Sequence, residues 1–263
     1  MNLDPIQEAA RAQFARQSAN YGKGHTLENI EDVIAAAAQM TLPPGARVLD
    51  VAAANGHTGL YFASLGHRVI LADIAAPMLE RARELAAERG LAVETREHPA
   101  EALPYPGASF DLVTCRVAAH HFSSPEAFVR ESARVLKPGG WFLLIDNSVE
   151  DGDPVAEDWI HQVDKLHDAS HVRALAPAAW RALCAAAGLE VQSTALTPFK
   201  QPNLQWYFDT SATPEEARRK TRELIAHAPE EARRAFHLTE EPDGNVTWEW
   251  PRLTLIARKA ASV

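Results

Sequence analysis

Residues 47–58 read RVLDVAAANGHT, and this stretch decides the fold. The apolar run Val48-Leu49 predicts a strand that ends on an acid, Asp50. A loop of small residues, Ala52 to Gly56, then leads directly into a helix that begins near Thr58. Small side chains let backbone N–H groups come close to a ligand, and the strand-tip carboxylate accepts hydrogen bonds there. A second strand, RVILAD at 68–73, ends on another acid, Asp73. In open α/β sheets ligands lie beyond the carboxyl ends of the strands, where the connections diverge. Two acids at adjacent strand tips fit a nucleoside-type ligand, whose ribose hydroxyls need acceptors.

Strands and helices alternate outward from that point. A helix opens near Pro77, carries the apolar stripe Met78, Leu79, Ala82, Leu85 and Ala86, and stops at Gly90. Strands follow at about Val93–Glu97 and Phe110–Val117. Ser124-Pro125-Glu126 caps a helix that runs to Leu136. Lys137-Pro138-Gly139-Gly140 reads as a turn, Trp141–Ile145 as a fifth strand, Pro177–Ala187 as a helix and Leu189–Thr194 as a strand. This alternation predicts a doubly wound α/β fold with a mostly parallel sheet, helices on both faces and right-handed crossovers.

The rhythm breaks at both ends of this core. Residues 1–45 read as an N-terminal helical cap, divided at Tyr21-Gly22-Lys23-Gly24 and closed by Pro43-Pro44-Gly45. Residues 46–197 form the core. Residues 198–245 read as a helical insertion, a lid or an oligomer contact, with Thr213-Pro214-Glu215-Glu216 as a capping box. Residues 246–263 return as the final strand, so the whole chain reads as one domain.

Composition narrows the function classes. The chain has 263 residues and is 46% hydrophobic, enough for a large core. Its net charge of -9 argues against nucleic acid or an anionic membrane as partner. Cys115 and Cys184 form no CxxC pair, so neither a zinc ribbon nor a disulfide framework is expected. The polar N-terminus does not read as a signal peptide, and no apolar run reaches membrane-spanning length. A cytoplasmic protein with a small-molecule substrate is the expectation, and the insertion leaves a homodimer open.

With these elements placed, the chain resembles the class I S-adenosylmethionine-dependent methyltransferases, most of all the branch related to quinone-biosynthesis methyltransferases. The resemblance spans about residues 14–195. It rests on the first loop, on Asp73, and on ALPYPGASFDLVTCRVAAHHF (102–122) followed by ARVLKPGGWFLLID (133–146). It implies a Rossmann-like, mostly parallel seven-stranded sheet with a helical insertion before the last strand. S-adenosylmethionine would be the cofactor. Ala52, Ala54 and Gly56 would cradle its amino-acid part, with Asp50 holding the loop and the ammonium. Asp73 would receive the ribose, Ile74 and Met78 would flank the adenine, and Ala100 and Glu101 would pass its edge. Arg116 and Val117 would open onto the methyl group, and Tyr21 would fold over the cofactor. Two departures stand out. The family's G-x-G-x-G loop has Ala52 and Ala54 in its first two glycine places; relatives accept Ala at the first, whereas a methyl group at Ala54 would crowd the cofactor or demand a φ that alanine disfavours. Pro99 stands where an adenine-binding acid is common.

For the chemistry, His120 and His121 follow the fourth strand, where a histidine can take a proton from an acceptor. Packing or a backbone hydrogen bond is the competing role. Asp146 and Asn147 end the fifth strand, and Asn147, His171 and Arg173 are candidate acceptor contacts; helix capping is their plainer role. His167 and His171 are four apart, but the sequence around them ends the helix, so no metal site is expected. Trp206, Tyr207, Phe208, Trp248 and Trp250 are either a roof over an apolar acceptor or simply core. Two other functions compete with methyl transfer. Ala54-Asn55-Gly56-His57-Thr58-Gly59 can be read as a degraded dinucleotide fingerprint of a nicotinamide-dependent dehydrogenase. The alanine-bearing loop also allows a methyltransferase fold repurposed without catalysis.

Overall fold

The computed structural model describes residues 2–18, 26–242 and 245–261. Helices α1 (Pro5–Gln17) and α2 (Glu31–Ala37) precede the sheet. Helix α1 opens on a complete capping box. Asp4 accepts from the N–H groups of Ile6 and Gln7, and the Gln7 side chain accepts from the Asp4 N–H. The core then runs β1 (Arg47–Val51), α3 (His57–Ser64), β2 (Arg68–Asp73), α4 (Ala76–Glu88) and β3 (Glu94–Glu97). The second half runs β4 (Phe110–Arg116), α5 (Pro125–Val135), β5 (Leu136–Asn147), α6 (Pro154–His167), α7 (Pro177–Ala186) and β6 (Leu189–Lys200). Next come α8 (Leu204–Thr210), α9 (Glu215–Ala226), α10 (Glu230–Ala235) and the two-stranded ribbon β7 (Thr239–Glu240) and β8 (Val246–Thr247). The final strand is β9 (Glu249–Lys259).

The sheet has seven strands in the order β3-β2-β1-β4-β5-β9-β6. Neighbours from β3 to β5 are parallel, whereas β9 pairs antiparallel with both β5 and β6. The chain therefore winds outward from β1 through β2 to β3, crosses back, and winds the other way from β4. That reversal puts the topological switch point between β1 and β4.

Alternation along the strands divides the core between the two faces. Leu49, Val51, Ile70 and Ala72 pack with Phe128 and Val129 of α5 and Trp180 and Cys184 of α7. Val48, Val69 and Leu71 pack on the other face with Val33 of α2, Leu60 and Phe62 of α3, and Leu79 and Ala82 of α4. A third cluster joins α6 to the insertion through Trp159, Ile160, Phe208, Phe236 and Trp248.

Gly59, in the first turn of α3, sits where that helix presses on the sheet. A Cβ there would lie 2.2 Å from Leu71 Cδ2 and 3.0 Å from both Asp50 Oδ2 and Val69 Cγ1. Gly59→Ala is therefore expected to lower stability by about 3 kcal/mol, read as a fall in the urea midpoint at unchanged slope.

Three local expectations are corrected. The Lys137–Gly140 segment lies inside β5 rather than before it. Phe110 pairs with Leu136 while Leu112 pairs with Trp141, so the extra residues are absorbed as an irregularity in the ladder. Strand β6 continues to Lys200 because β9 pairs with it as far back as Glu249. Thr213 does not cap α9; its hydroxyl donates to the His167 carbonyl at 3.1 Å, and the helix starts behind Pro214 without a side-chain cap.

Candidate functional site

The loop after β1 is built with alanines in glycine-type conformations. Ala52 has φ +54°, Ala54 φ +48° and Gly56 φ +85°. A left-handed φ costs an alanine roughly 1–2 kcal/mol, and glycine would return about half of that through the entropy of the unfolded chain. Ala52→Gly and Ala54→Gly are each expected to raise stability by about 0.5–1 kcal/mol, measurable by chemical denaturation. Such strain persists where the surroundings over-determine it. Here Ala53 N–H donates to the Ala72 carbonyl at 2.9 Å, Gly56 N–H to the Ala53 carbonyl at 2.8 Å, and Ala54 N–H to Asp73 Oδ2 at 2.9 Å. Val117, just past β4, also has a left-handed φ of +52°.

A cleft opens over the ends of β1, β2 and β4, at the switch point. It contains about 830 Å³ of empty space, open solvent at its mouth included, within the range of small-molecule sites. Ala52, Ala54, Asp73, Ile74 and Met78 line one side. Ala100, Glu101, Arg116, Val117 and His121 line the other. The fold thus brings nine of the residues named from the sequence for the cofactor, together with His121, into one cleft.

Asp73 is the acid of this cleft. Oδ2 accepts the Ala54 N–H and Oδ1 accepts the Ala75 N–H at 2.8 Å. Burial pushes its carboxyl up to about 6, against the pull of those backbone donors. Each carboxylate oxygen keeps spare lone pairs for a ligand hydroxyl. Asp50 is placed differently. Its carboxylate turns back to the Gly59 N–H at 2.8 Å, it does not line the cleft, and burial pushes it up to about 7. It braces the start of α3 from below the loop. Gly56 is likewise beneath the loop, where a Cβ would meet Leu71 Cδ1 at 2.8 Å.

Two more lining residues are already committed to the fold. Arg116 donates from Nε to Asp32 at 3.0 Å and from its terminal nitrogens to the carbonyls of Leu27 and Asn29. It ties the N-terminal cap to the tip of β4. Glu101 accepts from Gln7 Nε2 at 2.9 Å and from the Ser123 N–H at 2.9 Å, fastening α1 over the same cleft. Tyr21 lies outside the described residues. Sequence reasoning missed Phe14, Leu27, Asn55, His57, His98 and Phe122, which also line the cleft. His98, next to Pro99, bonds the Tyr105 hydroxyl at 2.9 Å.

A second lobe adjoins the first. Phe14, Leu27, Val117 and His121 line both, so they form the seam. Its floor carries His120, whose Nδ1 is 2.6 Å from Asp146 Oδ1 and whose backbone N–H donates to Asp146 Oδ2 at 2.9 Å. With Nδ1–H held by the carboxylate, Nε2 is the basic nitrogen. Burial disfavours the charged ring, but the Asp146 charge and hydrogen bond outweigh it and raise its pKa. His121 behaves oppositely: burial and the adjacent His120 push it down to about 4. Its Nδ1 meets Ser170 Oγ at 3.1 Å, and that hydroxyl donates to Asp168 at 2.6 Å. Asp164 completes the wall, pushed up to about 7 by burial although the Tyr207 hydroxyl donates to it at 3.0 Å.

The remaining acceptor-side expectations divide. Asn147 and His171 line the second lobe. Arg173 does not; it is half exposed and paired with Glu157 at 2.8 Å and with Asp158, so its proposed substrate contact is corrected to a surface ion pair. The aromatic cluster forms one core with Phe208 and Trp248 wholly inside it, and its members Trp206, Tyr207 and Trp250 also line the lobe.

Comparison with known proteins agrees with this architecture. A family model described as a methyltransferase domain matches residues 49–144. The uncharacterised methyltransferase YcgJ of Bacillus subtilis is 37% identical over 203 residues, covering 75% of this chain and 78% of that protein. Its crystal structure superposes with a TM-score of 0.81 at 31% identity, covering 89% of this chain and all of the other. The ubiquinone/menaquinone biosynthesis C-methyltransferase UbiE of Ectopseudomonas mendocina is 38% identical over 117 residues, 43% of this chain and 45% of that protein. These matches support methyl transfer over the dehydrogenase reading. By its sheet, its switch-point cleft and these relatives, the chain belongs to the class I S-adenosylmethionine-dependent methyltransferases.

Proposed function

We propose that S-adenosylmethionine occupies the first lobe, that a small organic acceptor occupies the second, and that methyl transfer takes place at the seam of Val117 and His121. The observation that carries this reading is the meeting of the two lobes beside a histidine–carboxylate pair. The residues of the first lobe suit an adenosyl amino acid. The Asp73 carboxylate faces the cleft with lone pairs for two hydroxyls, and Ile74 and Met78 offer apolar surface for a base. The N-terminal turn of α3, through His57 and Thr58, and the loop before it present backbone to the amino-acid end. When bound, the cofactor supplies an electrophilic methyl on a sulfonium, already a good leaving group.

The chain's own part is to align and to deprotonate. Holding the acceptor in line across the seam supplies most of the acceleration. His120 takes the acceptor's proton at Nε2 while Asp146 fixes the ring and stabilises its charged form. The aromatic roof of Trp206, Tyr207 and Trp250 keeps water from the charge-dispersing step. No helix among the described residues is long and apolar enough to cross a membrane, in keeping with an acceptor that arrives from solution.

Calorimetry tests the cofactor reading. S-adenosylmethionine and its demethylated product should both bind with one site per chain. Binding of NAD in their place, or of none of the three, would overturn it.

A further inference from the structure

Arg252 was read from the sequence only as part of an apolar strand. In the fold it stands in β9 opposite Asn147 of β5 and Thr197 of β6. Its side chain lines the second lobe, and the residue is 8% exposed. A buried guanidinium is normally neutralised by a carboxylate, because an isolated charge out of water is costly. Arg252 has no such partner among the described residues. Its Nε makes no hydrogen bond, and no ion pair reaches it among the described residues. The two acids whose charge it feels are already taken: Asp32 by Arg116 and Asp146 by His120. Arg116 and burial together bring its pKa down to about 10, so it stays charged at neutral pH. The contact it does make holds it still: its guanidinium carbon lies 4.2 Å over the Phe199 ring, itself part of the lobe. Opposite it in the ladder, Asn147 carries a buried Oδ1 that finds no partner among the described residues, and His171 Nε2, in the same lobe, finds none among them either.

We propose that Arg252 binds an anionic group of the methyl acceptor, and that the acceptor is a small carboxylic acid with an apolar or aromatic body. This rests on the assignment of the second lobe to the acceptor. A guanidinium seated over the Phe199 ring carries a fork of N–H donors, the arrangement that suits a carboxylate. The aromatic residues of the lobe cover the body, and His120 faces the group to be methylated. Asp164 and Asp168 also line the lobe and disfavour an anion placed beside them rather than beside Arg252. The charge arrangement orients the acceptor as well as selecting it.

The test uses acid and amide pairs that differ in charge but hardly in shape: benzoate and benzamide, 4-hydroxybenzoate and 4-hydroxybenzamide, phenylacetate and phenylacetamide. Binding to the full chain is measured by calorimetry, with and without saturating S-adenosylhomocysteine. At least one acid should bind about tenfold or more tightly than its amide. Arg252→Leu should erase that preference while S-adenosylhomocysteine affinity and the circular dichroism spectrum stay as in the wild type. Arg252→Lys, which keeps the charge but not the fork, should retain part of it. If no acid is preferred over its amide, or no member of any pair binds, the proposal is overturned. It is also overturned if the preference survives in Arg252→Leu, which would leave the residue a stacking partner of Phe199. Failure of the wild type to bind S-adenosylhomocysteine would sink the methyl-transfer reading of the first lobe instead, and is visible in the same experiment.

Discussion

Replacing Asp73 by alanine is expected to raise the dissociation constant of S-adenosylmethionine by about a hundredfold or more. A hydrogen bond to a charged group contributes about 1.5–3 kcal/mol, and two ribose hydroxyls can reach this carboxylate. The sum, about 3–6 kcal/mol, corresponds to factors from about a hundred upward. The same substitution also strips a partner from the buried N–H groups of Ala54 and Ala75, so part of the loss comes from the loop itself. Asp73→Asn keeps one of the two acceptor oxygens and removes the charge, so the loop should be disturbed less than in Asp73→Ala while affinity still falls. Acid should do the same reversibly. The Asp73 carboxyl is pushed up to about 6, and its protonated form is the poorer acceptor, so affinity should fall as pH drops through that value. Unchanged affinity in both variants would mean that the ribose lies elsewhere.

His120→Ala is expected to lower kcat by about a hundredfold or more, the usual yield of a positioned general base, while leaving S-adenosylmethionine affinity intact. The separation follows from placement: His120 lines the second lobe and not the first. Asp146→Asn should cost a comparable factor, because the two residues act as a unit and their losses are not additive. The base works only when deprotonated. With the His120 pKa raised by Asp146, the rate should climb with pH and level off above that raised value. In Asp146→Asn the source of the rise is gone, so the ascending limb should move to lower pH. A His120→Ala enzyme that keeps kcat within a few-fold of the wild type would reduce the pair to a structural role, with alignment alone driving the reaction.

The fold was legible because its signals are local. Strands of buried sheets read as short apolar runs, and RVLDVAAANGHT, RVILAD and FDLVTCR each carry their own boundary in an acid, a loop or a proline-led helix. The cofactor side of the cleft was legible for the same reason: Asp73, Ile74 and Met78 lie within one strand–helix junction. What the sequence concealed is assembled from afar. His120, Asn147, Asp164 and Arg252 come from four separate elements, and no spacing announces that they share a lobe. Arg252 opens the apolar run RLTLIA, where a cation at the start reads as a strand-end residue. Arg116 falls at the predicted tip of β4, yet nothing local reveals that its guanidinium is spent on the carbonyls of Leu27 and Asn29. Asp50 reads like Asp73 in sequence, and only the direction of its side chain, toward Gly59, distinguishes brace from ligand. The alanines in the loop are the converse case. The sequence raised the question of their φ, and the backbone answers it: the loop keeps its left-handed turns and accepts the strain.

The central claim is that the two lobes hold cofactor and acceptor on either side of Val117 and His121. A crystal structure of the complex with S-adenosylhomocysteine tests it most directly. The account predicts ribose hydroxyls on Asp73, the base against Ile74 and Met78, and the sulfur directed at the seam. Nucleoside density in the second lobe, or a first lobe kept closed by the Ala54 methyl, would contradict it.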